Sequence, residues 1–253
     1  MTWLKSLCIA IGTYSIFPVP QFEWKESNLK YSICFLPVVG LLIGAALFAW
    51  AWVSNALLFN RTLFAAVAAV IPLLLTGGIH MDGFMDTTDA LSSHRDREQK
   101  LTILKDPHIG AFAVIYFGIY LMLSFGLYHA LFQPDLLLVV SIGFLLSRSL
   151  TVVSVVTLPR ARKEGMLHTM TAQAPPKRVL LALSLVALLA AGAMIWVNRA
   201  SGGTAVAFAL ITLIAYRCMV KKQFSGVTGD TSGFFLQLSE LIILFGVWIG
   251  HLF

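Results

Sequence analysis

The sequence predicts an all-α, polytopic integral membrane bundle with about seven transmembrane helices and an N-terminal interfacial or re-entrant helix. Of the 253 residues, 58% are hydrophobic and only 12% are charged, and the mean hydropathy is +0.84. Soluble domains usually carry about 25% charged residues. Apolar runs of roughly 18–24 residues, which suffice to cross a bilayer, also recur along the chain. Composition and run length together exclude an ordinary soluble protein.

Short polar segments separate the predicted spans, which cover residues 34–57, 62–79, 109–132, 136–157, 179–197, 204–220 and 234–252. The apolar run at residues 3–19 contains Lys5 and stops at Pro18-Val19-Pro20. We therefore expect it to lie at the interface or to re-enter, with a full extra span as the alternative. No tandem repeat or low-complexity linker interrupts the sequence, which predicts one membrane-embedded domain over residues 1–253.

Basic residues fall mainly on one side of these spans. If the N-terminus is cytoplasmic, the inner segments hold fourteen of the 18 Lys and Arg residues, and the outer segments hold only Arg61 and Arg199. The positive-inside rule favours this orientation. It places three polar loops, at residues 80–108, 158–178 and 221–233, on the cytoplasmic face, where we expect the active site. The net charge of +6 is spread over these loops and predicts no nucleic-acid partner.

The strongest functional signal begins where the second predicted span ends. Asp82, Asp86 and Asp89 stand at i, i+4 and i+7, so a helix carries all three carboxylates on one face. Because like charges repel, the pattern predicts a cation between them, and Mg²⁺ is commonly held by carboxylates together with substrate phosphates. His80 is a candidate base or phosphate contact. The alternative is a solvated helix start with aspartates near its favourable dipole end.

The next segment, residues 95–110, predicts a short amphipathic helix on the membrane surface that ends at Pro107. Asp106 is a candidate for a second metal position, and Lys105 is a candidate phosphate contact. The alternative is a surface helix with i,i+4 charge pairs followed by a proline stop.

Two later segments offer groups for phosphate binding. Arg160, Arg162 and Lys163 suit phosphate geometry, although juxtamembrane basic residues also contact anionic membrane lipid. The turn that contains Thr228 and Gly229 opens the last span, and a glycine-rich turn at a helix N-terminus offers backbone N–H groups to an anion. Asp230 is a candidate metal ligand there, with helix capping as the alternative.

Two charged residues, Arg148 and Glu240, lie inside predicted spans. Buried charges are costly in a membrane, so such residues usually mark function or mutual pairing. We treat both as candidate substrate contacts in a cavity that opens toward the polar loops. A purely structural Arg148–Glu240 pair is the alternative.

These elements, in this order, resemble the cobalamin synthase family, whose enzyme is adenosylcobinamide-GDP ribazoletransferase. The similarity covers nearly the whole chain. The matching motifs are Phe17-Pro18-Val19-Pro20, Pro37-Val38-Val39-Gly40, residues 77–89, residues 105–110, Ser147-Arg148, Glu164-Gly165 and residues 226–231. The sequence departs from the family pattern at Ala90, often glycine, and at Pro107-His108, often Ser-Arg.

The resemblance implies a Mg²⁺-dependent transferase in the prokaryotic cytoplasmic membrane. It would join GDP-activated adenosylcobinamide to α-ribazole or its 5′-phosphate, release GMP and form adenosylcobalamin or its 5′-phosphate. The roles that the resemblance implies are primary metal ligation by Asp82 and Asp86, further ligation by Asp89, Asp106 and Asp230, and substrate binding by Arg148, Thr228 and Gly229. Catalysis falls to His80, Asp82, Asp86 and Lys105, with His80 as the base or an orienting group and a metal-bound carboxylate as the alternative base. Arg160 and Glu240 lie outside the matching motifs and are candidate substrate contacts on their charge and position alone. A homo-oligomer is compatible with the sequence.

Two other classes remain as alternatives. A CDP-alcohol phosphotransferase-like lipid synthase also sets aspartates on membrane helices, but its Asp-Gly is followed by Ala-Arg, whereas Asp82-Gly83 is followed here by Phe84-Met85. A cation transporter would use intramembrane charges near the bilayer midplane, whereas most candidates here lie in predicted loops.

Overall fold

A computed structural model describes residues 2–162, 165–171 and 174–253. Within these residues the chain forms α-helices and no β-strand, which confirms the predicted all-α class. The helices are α1 (Thr2–Tyr14), α2 (Glu26–Leu29), α3 (Leu36–Ala56), α4 (Arg61–Leu75), α5 (Ile79–Ser92), α6 (Arg97–Ile103), α7 (Ala111–Ala130), α8 (Pro134–Thr157), α9 (Met166–Thr171), α10 (Pro176–Val197), α11 (Arg199–Phe224) and α12 (Gly229–His251).

Six helices in the described part of the chain are long and apolar enough to cross a membrane: α3 with the turns before it, α7, α8, α10, α11 and α12. The bent pair α4 and α5 gives a seventh crossing if it is counted as one span. The predicted polytopic helical bundle is therefore confirmed. Helix α1 has 13 residues, or about 20 Å, so it is too short to cross on its own. Its position at the membrane interface stays a prediction.

The second span was predicted to cover residues 62–79, and its predicted C-terminal end is wrong. Helix α4 stops at Leu75, and α5 leaves it at an angle of 93°. The turn uses Gly77 and Gly78, whose φ angles of 61° and 79° lie in the left-handed region that side chains with a Cβ rarely adopt. Consequently residues 80–108 are not a loop, because α5 and α6 occupy most of them. Because α5 turns away from α4 and carries three aspartates, we assign the crossing to α4 and place α5 at the membrane surface, outside the membrane-spanning segments.

Helix α8 is the buried centre of the bundle, with most side chains between Leu136 and Val155 shielded from solvent. Helix α3 packs on it at two glycines. A Cβ on Gly40 would collide with the carbonyl of Phe144, and a Cβ on Gly44 would collide with the carbonyl of Ser141. Small residues at such crossings let two membrane helices approach closely. The two contacts also show that α3 and α8 run antiparallel.

One end of the bundle collects the polar segments, and we call it the site end. Helices α8 and α11 finish there, and α3 and α12 begin there. Val227 N–H donates to Pro159 O at 2.8 Å, and Ala161 N–H donates to Val227 O at 3.0 Å. These bonds tie the connection after α8 to the short turn between α11 and α12.

Helix α6 docks against the end of α11 at the site end. Arg97 Nε donates to Lys222 O at 2.8 Å, and the buried Lys100 ammonium donates to the side-chain carbonyl of Gln223. The charges of this helix are therefore used between helices rather than in the expected i,i+4 pairs along one helix.

Helices α5 and α12 cross at a pair of glycines. A Cβ on Gly83 would lie 2.8 Å from Asp230 O, and a Cβ on Gly233 would lie 2.9 Å from His80 O. Both distances are too short for a real side chain, so the backbones approach this closely only because glycine stands on each side. The crossing brings the start of α5 against the start of α12.

We predict that Gly83→Ala lowers the free energy of unfolding by about 1–3 kcal/mol, because the added methyl group meets backbone that cannot turn away. Thermal unfolding in detergent measures this loss. The matched control is Gly118→Ala in the middle of α7, where a Cβ meets nothing within 4 Å. Alanine is favoured over glycine in helices by about 1 kcal/mol, so the control variant should be at least as stable as the wild type. Equal stability of the two variants would contradict the close crossing.

Candidate active site

A cleft of about 280 Å³ opens at the site end beside the crossing of α5 and α12. Its walls come from α1, α5, the connection after α8, α9 and the start of α12. Seven of the sequence-predicted candidates line it: His80, Asp82, Arg160, Arg162, Thr228, Gly229 and Asp230. Residues more than 140 positions apart in the sequence therefore share one cavity.

The acidic side of the cleft centres on α5. Asp82 is exposed to the cleft, and Asp86, which does not line the cleft, lies half-buried one turn further along the helix. Burial raises the pKa of Asp86 to about 7, with help from nearby carboxylates. In decreasing order of effect these belong to Asp82, Asp230 and Asp89. The predicted acidic face thus exists, and the carboxylate that opens α12 adds to it.

The donor set fits a Mg²⁺ that is shared with a phosphorylated substrate. Within the described residues, no three His, Cys, Asp or Glu side chains converge closely enough to hold a metal ion by themselves. The mutual repulsion of Asp82, Asp86 and Asp230 nevertheless favours a cation among them. Mg²⁺ typically keeps one or two carboxylates and completes its shell with water and substrate phosphates. The residues present therefore suit a shared ion better than a closed protein cage.

Asp89 has a second role in the structure. Its Oδ2 accepts a hydrogen bond from Gly110 N–H at 2.7 Å, and its Oδ1 accepts one from Ala113 N–H at 2.9 Å. Both oxygens thus satisfy backbone donors at the start of α7, which otherwise have no partner within the helix. Asp89 does not line the cleft, and its metal-binding role stays a prediction.

The start of α12 is fixed by a capping box. Thr228 Oγ1 accepts from Thr231 N–H at 3.1 Å, and Thr231 Oγ1 accepts from Thr228 N–H at 2.9 Å. Thr228 is therefore the N-cap, and Asp230 is not. The Asp230 carboxylate faces the cleft, where its Oδ2 accepts a hydrogen bond from Thr228 Oγ1 at 3.4 Å. The N–H groups of the first turn point out of the same helix end.

Basic side chains form the opposite wall. Arg162 Nη1 lies 3.9 Å from Asp230 Oδ2, and its Nη2 donates to Leu101 O. Arg160 Nη2 donates to Thr171 O at 3.2 Å. Each guanidinium keeps further donors for a ligand. Lys163, the third basic candidate, lies outside the described residues.

His80 is buried at the back of the cleft. Its ring stacks on Tyr14, with centroids 5.7 Å apart, and its Nδ1 has no hydrogen-bond partner among the described residues. Burial, followed by the positive charge of Arg148, lowers the pKa of His80 to about 3. The imidazole is therefore neutral near pH 7 and is a weak base. An orienting hydrogen bond suits this geometry better than proton abstraction.

Tyr14 and His168 also line the cleft, and sequence reasoning missed both. Tyr14 lies three residues before the motif that begins at Phe17, which is the nearest signal. His168 stands on the short helix α9, three residues after the Glu164-Gly165 motif. Only long-range folding brings these two side chains to the site.

The remaining predicted site residues do not line the cleft. Arg148 is fully buried, and its Nη1 donates to a Glu240 carboxylate oxygen and to Phe144 O. This matches the alternative of a structural ion pair between α8 and α12. Lys105 and Asp106 are exposed after α6, and Asp106 Oδ1 accepts from His108 N–H at 3.0 Å. The substrate and metal roles of these four residues stay predictions that their placement does not support.

Comparison with known proteins finds relatives that match this chain over most of its length. The family model described as cobalamin-5-phosphate synthase matches residues 6–248. A relative from Lachnoclostridium phytofermentans is 38% identical over 242 residues, covering 96% of this chain and 92% of that protein. A Clostridium botulinum relative is 33% identical over 251 residues, covering 95% and 96% of the two chains. A Pseudomonas fluorescens relative is 34% identical over 231 residues, covering 91% and 90%.

All three relatives bear the name adenosylcobinamide-GDP ribazoletransferase. No solved structure matches this chain. The family match extends over α1 to α12 and includes every residue that lines the cleft. The chain therefore belongs to the cobalamin-5-phosphate synthase family.

Proposed function

We propose that this protein joins GDP-activated adenosylcobinamide to α-ribazole or its 5′-phosphate, with release of GMP. The observation that carries the proposal is the charge pattern of the cleft. Asp82 and Asp230 on crossed helices face Arg160 and Arg162 within about 280 Å³. A pyrophosphate needs both kinds of group, because arginines bind its oxygens directly and carboxylates bind them through a divalent cation.

The reaction is a phosphoryl transfer. A ribose hydroxyl oxygen of α-ribazole attacks the phosphorus next to the corrinoid side chain, and a new phosphodiester bond forms. The bond from that phosphorus to the bridging oxygen breaks, and GMP leaves with the electron pair. The hydroxyl proton passes to a base on the protein. Such transfers depend mainly on positioning and charge neutralisation.

The residues of the cleft and the neighbouring Asp86 divide these tasks. Arg160 and Arg162, with the N–H groups that open α12, bind and orient the phosphate oxygens. A carboxylate of the acidic cluster, rather than His80, accepts the proton in this proposal, because the buried neutral imidazole is a weak base. Neutral His80 orients the reacting group. Asp82, Asp86 and Asp230 would hold Mg²⁺, which supplies charge neutralisation for the pyrophosphate when it is bound.

The protein lies, in this proposal, in a prokaryotic cytoplasmic membrane with the cleft on the cytoplasmic face. Support comes from the excess of basic residues in the segments at the site end, as the positive-inside rule requires. Exposed apolar side chains such as Trp52, Leu181 and Leu188 suit contact with membrane lipid.

The lipid synthase and transporter alternatives are not favoured. The family match and the names of the relatives point to corrinoid chemistry. The acidic groups also lie in a cleft at the end of the bundle, whereas transporter sites usually lie near the midplane.

The activity is tested with purified protein in liposomes, GDP-activated cobinamide and α-ribazole 5′-phosphate. Mass spectrometry should detect cobalamin 5′-phosphate and GMP in equal amounts when Mg²⁺ is present. Chelation should stop both products, and added Mg²⁺ should restore them. Folded protein that forms no product would overturn the proposed function, and full turnover after chelation would remove Mg²⁺ from it.

We predict that Asp82→Asn lowers turnover by about 10²-fold or more, because an amide neither neutralises nor binds the metal as a carboxylate does. Membrane insertion and thermal stability should be unchanged, since Asp82 is exposed. The matched control is Asp96→Asn at the N-cap of α6, where Asp accepts from Gln99 N–H at 2.9 Å and Asn caps equally well. Near-normal turnover of Asp82→Asn at limiting Mg²⁺ would exclude Asp82 from the site.

Asp86 should make stability depend on pH. Its pKa rises from 3.8 when unfolded to about 7 when folded, so the folded state holds the extra proton and stability falls as pH rises through this interval. Asp86→Asn removes the cost of ionising a half-buried carboxyl group among other carboxylates. The variant should therefore be more stable than the wild type by about 1–2 kcal/mol at pH 8, after allowance for solvent screening. At pH 4 the difference should be small. Unfolding in detergent with a chelator present measures this difference. An equal effect at both pH values would contradict the raised pKa.

A further inference from the structure

A second pocket, of about 760 Å³, lies between α1 and the segment of residues 15–24. It is nearly three times as large as the catalytic cleft. Ligand pockets usually measure about 300–1,000 Å³, so this pocket has room for a bulky group, whereas the cleft is at the lower limit. The proposed function leaves this pocket without a role.

The lining of this N-terminal pocket differs in chemistry from the cleft. Phe17, Phe22 and Trp24 supply aromatic surface, and Thr13 and Gln21 supply uncharged polar groups. None of its lining residues in the described part of the chain is Lys, Arg, Asp or Glu. Such a lining suits a large ring with neutral amide substituents and disfavours a pyrophosphate.

The N-terminal pocket adjoins the catalytic cleft. Met166 lines both cavities. Tyr14 lines the cleft and stacks on His80, while its neighbours Thr13 and Ser15 line the N-terminal pocket. A ligand that fills both cavities would therefore pass the end of α1.

The segment that forms the pocket is fixed to the catalytic helices. Ile16 N–H donates to Leu75 O at 2.9 Å, which ties it to the last residue of α4, just before the bend into α5. This hydrogen bond fixes the position of the pocket, and of any group bound in it, relative to the aspartates of α5.

We propose that the N-terminal pocket binds the corrin ring of the GDP-activated substrate while the cleft binds its pyrophosphate. The assignment rests on the proposed function, since it takes the substrate from there. The ring is a large macrocycle fringed with neutral amides, so it suits the larger, uncharged pocket better than the charged cleft. The flexible side chain of the corrinoid then crosses near Tyr14 to reach the cleft.

The test measures binding of cobinamide, which has the corrin ring but no nucleotide, to the full-length protein in detergent by equilibrium dialysis. Thr13→Trp fills the pocket and should weaken binding by about tenfold or more, and Trp24→Ala should weaken it by about three- to tenfold. Trp52→Ala, which removes an exposed tryptophan from α3, is the matched control and should bind as the wild type does. GMP affinity should be unchanged in all three variants.

Alkylation of Cys8, which lines the N-terminal pocket, provides a second measurement in a protein that carries Cys34→Ala and Cys218→Ala. Cobinamide should slow the reaction of Cys8 with maleimide, and GMP should not. Equal protection by lipid vesicles without cobinamide would assign the pocket to an acyl chain and overturn the proposal.

Release of GMP from the complete substrate separates this proposal from the proposed function. If the wild type turns over but Thr13→Trp binds cobinamide normally, the pocket assignment is wrong and the function stands. If cobinamide binds in the pocket but no GMP is released, the transfer reaction is wrong and the binding site stands.

Discussion

The close crossing of α5 and α12 is the constraint on which the site depends. Gly83 and Gly233 remove the side chains that would hold the two backbones apart. The crossing sets the carboxylates of Asp82 and Asp230, which are far apart in sequence, in one cleft. It also requires α5 to turn sharply from α4, which the paired positive φ angles before it permit. Helix packing, rather than a flexible loop, therefore positions the chemistry.

The electrostatics of the cleft are costly without a ligand. Three carboxylates repel one another, and burial keeps Asp86 near neutrality until about pH 7. Among the carboxylates of the described residues, Arg162 lies within 4 Å of Asp230, at 3.9 Å, which is long for a strong ion pair. A divalent cation would neutralise the carboxylates, and the phosphates of the substrate would neutralise the cation and the arginines of the opposite wall. The imidazole of His80 is neutral chiefly because burial lowers its pKa, and the positive charge of buried Arg148 lowers it further.

Hydropathy predicted the all-α bundle, and i,i+4 spacing made Asp82 a candidate, because both are local properties of the sequence. Asp230 became a candidate through its place in the glycine-rich turn that opens the last span. The cost of intramembrane charge also pointed to a partner for Arg148. The structural role of Asp89 could not be predicted from the sequence, because its hydrogen bonds to the start of α7 depend on tertiary packing. Tyr14 was missed for the same reason, since its contact with the site joins α1 to α5.

Metal-directed cleavage of the backbone tests the central claim most directly, namely that the α5–α12 crossing is the reaction site. Fe²⁺ replaces Mg²⁺ in the protein with a pyrophosphate substrate bound, ascorbate and peroxide generate radicals at the metal, and mass spectrometry maps the cut peptides. The account predicts cuts close to residues 82–86 and 228–230, both suppressed by excess Mg²⁺. Cuts confined to residues 105–108, or to the interior around Arg148 and Glu240, would contradict it.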